Sequence, residues 1–134
     1  MAPQNRSDKL KRLVKVQRHL EHMAEYDLAN TKRARDEVQH SLEAVVGAIG
    51  SMDPVHQIFA QLYSNQISRL TTRDQQLEMM QRIHENKIMR EKAKADRLEE
   101  NMKEARTGEE RLAEDDAIYD VIDQKLAIDR NNGD

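Results

Sequence analysis

The sequence predicts an all-α fold, two long helices in an antiparallel coiled-coil hairpin with the second helix longer than the first. Three observations predict it. From Tyr63 to Leu112, alternating steps of four and three residues pick out Tyr63, Ile67, Leu70, Leu77, Ile88, Ala95, Leu98, Met102, Ala105 and Leu112, with no Pro or Gly before Gly108. A second series of three- and four-residue steps runs from Leu10 to Ile49. Between them, Gly47, Gly50 and Asp53-Pro54 form a compact stop-and-start signal. A period of 3.5 held over this length belongs to helices that wind around a partner along one buried seam, because a straight helix would rotate its stripe away.

The elements follow in order. Residues 1–7 have no periodicity, and Ser7 or Asp8 offers a side-chain cap for a first helix over about 8–49. Its predicted stripe is Leu10, Leu13, Gln17, Leu20, Ala24, Leu28, Thr31, Arg35, Val38, Leu42, Val45 and Ile49. The successive four-residue steps Leu20–Ala24–Leu28 amount to a stutter that relaxes the supercoil. Glycine after the last apolar residue stops the helix, and the turn spans about 50–53. Asp53 then offers its carboxylate to free N–H groups while Pro54 sits where its missing N–H costs nothing, so helix two starts at 54 and runs to about 130. Thr107-Gly108-Glu109-Glu110 leaves that helix either continuous or broken near 107–108, because Thr three before Glu is a capping-box spacing. Asn131-Asn132-Gly133-Asp134 is a terminator. Counting residues outward from a turn near 51 sets Leu20 opposite about residue 83 and Leu10 opposite about 93 at equal rise per residue. That leaves residues 98–130 without a partner inside the chain. Asp74, Gln81, His84 and Glu91 interrupt the seam, which reads as a weak or exchangeable surface.

Composition narrows the function. The chain has 134 residues, 35% charged and 3% aromatic, with no Cys, so disulfides and thiolate sites are excluded. Lys9, Lys11, Arg12 and Lys15 interrupt Leu10, Leu13 and Val14, so no signal-peptide core is expected, and no stretch approaches a membrane span. A cytoplasmic protein is expected. Charge is graded: residues 1–40 carry nine Lys and Arg against six Asp and Glu, whereas residues 99–134 carry five against twelve. A basic start and an acidic end attract each other if the chain doubles back.

No catalytic, cofactor or metal site is expected. His19 and His22 supply too few ligands, and Glu37-Val38-Gln39-His40 has the spacing of di-iron bundles without the second motif such a site needs. Phosphate loops and nucleophile elbows are absent, so no enzyme is expected. The basic cluster Arg6, Lys9, Lys11, Arg12, Lys15 and Arg18 lacks the interleaved aromatics of a nucleic-acid site and reads first as a solvated face. Near the turn, Val55, Ile58, Phe59, Leu62 and Tyr63 read in two ways. They pack on Val45, Val46 and Ile49 to close the hairpin, or they form a protein-docking surface.

Leu10-Lys11-Arg12-Leu13-Val14, the run Phe59-Ala-Gln-Leu-Tyr63-Ser-Asn-Gln-Ile67-Ser-Arg-Leu70, and Ile122-Asp123-Gln124-Lys125-Leu126 resemble the flagellar export stalk family (FliJ), with the injectisome YscO proteins as relatives. The resemblance covers the two-helix plan across nearly the whole chain. It implies an antiparallel coiled coil like the central stalk of rotary ATPases, with three protein partners: a hexameric export ATPase ring, an export gate protein and export chaperones. By resemblance, Leu10, Arg12, Leu13, Lys15, Leu112, Ile118, Ile122 and Leu126 at the two chain ends enter the ring, and Phe59, Leu62, Tyr63 and Leu70 contact the gate. Membrane contact is then peripheral, through the gate. The alternative is a homo-oligomeric coiled-coil scaffold or adaptor, in which the seam pairs with another copy.

Overall fold

The computed structural model describes residues 5–51 and 53–133, all in helices apart from short connections, with α1 (Arg6–Ile49), α2 (Pro54–Ile58) and α3 (Ala60–Asn132). Met52 of the expected turn, part of the aperiodic start and Asp134 lie outside the described residues. The long helices α1 and α3 pack against each other. The chain divides into two compact units, His19–Lys92 and the remainder, in which residues up to Arg18 accompany those from Ala93.

In the unit formed by His19–Lys92, α3 loses exposure at Tyr63, Ile67, Leu70, Asp74, Leu77, Gln81, His84, Ile88 and Glu91, the positions its spacing predicts. On α1 the covered seam positions are Glu21, Ala24, Leu28, Thr31, Arg35, Val38, Leu42 and Val45, in alternation of three and four, with Ala34 half-covered beside Arg35. The stutter is absent. Leu20 is 42% exposed, whereas Glu21 is 8% exposed in its place, and Ala48 is covered where Ile49 was expected. The reason is phase. α3 holds an unbroken heptad, and a four-residue slip in α1 would turn its stripe off that seam. Keeping phase forgoes the burial of a leucine, a term of about 1.5–3 kcal/mol. Thr31 fits the same seam because its hydroxyl donates to the Asp27 carbonyl at 3.0 Å.

Helix α1 ends at Ile49 and the next helix opens at Pro54, where the stop-and-start signals place them. Gly50 does not adopt a left-handed conformation; its N–H donates to the Val46 carbonyl at 3.0 Å and the Ser51 N–H to that of Ala48 at 3.2 Å. Asp53 accepts from the Val55 N–H at 3.0 Å and Pro54 opens α2. That helix ends after one turn, because Phe59 leaves helical geometry (φ −96°, ψ 12°) before α3 begins. The break at Phe59 means that the long part of the second arm runs from Ala60. The register moves with it: Arg35 meets Asp74, where counting from residue 51 would have set it opposite about residue 67.

In the other unit, α1 covers Ser7, Leu10, Val14 and Gln17, and α3 covers Ala95, Leu98, Met102, Ala105 and Glu109. Val14 takes the place expected for Leu13, which is 51% exposed. Helix α1 begins at Arg6, and neither Ser7 nor Asp8 is its cap; the Asn5 carbonyl accepts from the Asp8 and Lys9 N–H groups. No break occurs at 107–108. The Thr107 hydroxyl donates to the Lys103 carbonyl at 3.0 Å, and Gly108 stays helical with open space where a Cβ would lie. Side chains from Glu110 through Gly133 are exposed. The unpartnered tail thus begins at about residue 110, not at 98.

Candidate partner-binding surfaces

Polar contacts among the described residues help to hold the seam, and one of them explains two of its irregularities. Arg35 projects from α1 between Asp74 and Gln81, with Nε 3.1 Å from Asp74 Oδ1 and one terminal nitrogen 3.3 Å from Gln81 Oε1. Its other terminal nitrogen lies 3.7 Å from Glu78. Two of the apparent weak points of the α3 stripe are therefore the acceptors for one cation on α1. A polar group inside an apolar seam costs stability and fixes register, since any shift strands the charge. In the other unit, Arg18 binds Asp96 at 2.9 Å and Glu99 at 2.7 Å.

A further contact closes the start of α1. The Ser7 N–H donates to Glu109 Oε1 at 3.0 Å, and the Ser7 hydroxyl donates to the other carboxylate oxygen. The Ser7 N–H belongs to the first turn, where no intrahelical carbonyl is available, so a carboxylate of α3 caps α1 and faces the positive end of its dipole. The Ser7 hydroxyl, then its N–H, hold the Glu109 carboxyl below the usual carboxylate range, with Arg106 adding to the effect.

Exposed apolar surfaces lie outside the seam. At the tip, Tyr63 is half-buried and gathers the aromatic groups: His56 Nδ1 lies 3.0 Å from its hydroxyl, and the Phe59 ring centroid is 6.4 Å from its own. The neighbouring apolar side chains do not close over one another. Ile58 is 77% exposed, and Val46, Val55, Phe59 and Leu62 are also open. Leu70, half-buried, lines a shallow groove with Ser41, Ala44, Val45, Gln66 and Arg69. A sequence signal for this region exists in its charge: residues 44–68 contain Asp53 as their single Asp, Glu, Lys or Arg, in a chain 35% charged.

The second surface lies in the other unit. Leu10 is half-buried in the seam, whereas Arg12, Leu13 and Lys15 are exposed. Leu112, Ile118, Ile122 and Leu126 are exposed along α3, and Ala117, Ile118, Val121 and Ile122 form a shallow groove with a wholly apolar lining. The candidate end residues thus divide into a basic segment with exposed aliphatics and an acidic helix with exposed aliphatics.

The histidines form no convergent site. His22 lies 3.3 Å from Glu25 and His40 3.9 Å from Glu43, all exposed, and among the described residues no three His, Asp or Glu side chains are placed to hold one metal ion. Among the described residues no helix is long and apolar enough to cross a membrane. No family model matches the chain, and neither the curated proteins nor the solved structures contain a match to it.

Proposed function

We propose that the chain is a coiled-coil component of a flagellar or type III protein export apparatus, acting as an antiparallel stalk and having no reaction of its own. The observation that carries the reading is the inequality of the arms. Helix α1 meets Glu109 at its second residue, yet α3 continues to Asn132 with an exposed apolar face. An exposed helix bearing aliphatic side chains is a surface for insertion into another protein. The antiparallel arrangement is supported by the order of contacts: Ser7 pairs with Glu109, and Arg18, farther along α1, pairs with Asp96 and Glu99, earlier on α3. Coverage of the seam within one chain favours this hairpin over a scaffold in which the seam pairs with another copy.

In this reading the tail and the start of α1 enter a hexameric export ATPase ring on the cytoplasmic side of the membrane, while the sparsely charged tip around Phe59, Leu62 and Tyr63 meets the export gate or export chaperones. The test is direct. Purified protein should bind an export ATPase and raise its hydrolysis rate, and Ile118→Asp with Ile122→Asp should remove the stimulation while leaving helix content intact. Absence of both binding and stimulation by the unaltered protein overturns the proposal.

A further inference from the structure

The basic start and acidic end of the chain lie close in sequence to a shared contact, Ser7 with Glu109, yet the tail does not return to the basic segment. It continues as helix, and every described residue beyond Glu109 is exposed. Residues 113–132 carry six carboxylates against two cations, and residues 6–18 carry six cations against one carboxylate. The attraction between them has a second element, a matched pattern. On α1, Lys9, Leu13 and Val16 are exposed at steps of four and three, outside the seam. On the tail, Glu114, Ile118 and Val121 are exposed at the same steps. Each series is a charge followed by two aliphatic residues, the charges have opposite sign, and both rise about 10 Å along their helices.

The geometry points to a second copy of this chain as the occupant of the tail, bound by reciprocal exchange. A two-fold axis near Glu110 and Arg111 lays each tail beside the other copy's α1 in the same direction. Glu114 then lies beside the second copy's Lys9, Ile118 beside its Leu13 and Val121 beside its Val16. With Ser7 level with Glu109, that pairing sets the axis between Glu110 and Arg111. Isologous contacts of this kind close on themselves and need only one complementary pair of patches, used twice. Pairing of tail with tail alone would bring like charges together. The exchange describes the chain without an export ATPase ring, which in the proposed function takes the same faces in place of the second copy, and it does not depend on that reading. It also differs from pairing through the seam, since both hairpins stay intact.

The absence of cysteine from the chain makes a clean experiment. Leu13→Cys chains mixed with Ile118→Cys chains under mild oxidation should form a mixed disulfide dimer. The control mixture of Lys11→Cys with Ile118→Cys should not, because Lys11 lies on the opposite side of α1. Sedimentation at rising concentration should show a reversible dimer that weakens with salt. Lys9→Glu or Glu114→Lys alone should each raise its Kd about tenfold, some 1.4 kcal/mol, and the two together should restore it. Cross-linking no greater than the control, a monomer at every concentration, or a double variant as weak as the single ones overturns the inference.

Discussion

Helix α3 contains two regions made of similar residues that meet opposite fates. Between Ala95 and Glu109 its aliphatic side chains are covered by α1, and Ala95 is fully buried. From Leu112 to Ile128 comparable side chains stand in solvent. No glycine kink, proline or change of helical geometry separates them, since Gly108 lies within the helix. What differs is the presence of a partner and the charge around the stripe. The covered region mixes both signs, and the exposed region is acidic. Burial along this helix is decided by where α1 begins rather than by the local hydrophobicity of α3.

That comparison can be tested by perturbing each side of it. Leu77→Ala in the covered seam should cost about 3 kcal/mol in denaturant unfolding, whereas Ile122→Ala in the tail should stay within about 0.5 kcal/mol. Equal losses would show that the tail is packed in the free protein. Next in size, Arg35→Ala should destabilise by about 1–2 kcal/mol, because Asp74 and Gln81 lose their donor in a half-covered seam. Arg35→Leu combined with Asp74→Leu should recover stability while loosening register, read from the spread of distances between spin labels on α1 and α3. At the border, Gly108→Ala should add about 1 kcal/mol, since the helix is continuous there and the added methyl meets open space. A loss would mean that the helix bends at this point. The smallest effect is pH-dependent. Glu109 is depressed in the folded state, so its contribution is present in full above its ordinary value of 4.5 and is lost as pH falls through the lower folded value. Glu109→Gln should flatten that acid limb of the thermal transition.

Much of this architecture is legible in the residue order. The heptad of α3 is visible because one helix carries it without interruption, and Asp53-Pro54 announces the cap of α2 chemically. The phase of α1 is less legible. Leucine at 13 and 20 looks better suited to a core than Val14 or Glu21, and the deciding constraint is the phase of another helix. Phe59 carries no mark of a helix break, since neither Gly nor Pro is involved, and that missed turn displaced the expected start of the tail from 110 to 98. Asp74 and Gln81 look like flaws until Arg35, 39 residues before Asp74, is seen between them. The tip's shortage of charge was visible in the sequence, but it registers only when neighbouring residues are compared across the turn.

The capping of Ser7 by Glu109 has a mechanical corollary. The first turn of α1 is fastened to a point 102 residues away, on the same uninterrupted helix that bears the tail. A torque applied anywhere beyond Leu112 is therefore delivered to a small clasp of two hydrogen bonds before it reaches the aliphatic seam. Opening that clasp would release the N-terminal turn of α1 first, giving the molecule a graded response to load at this end.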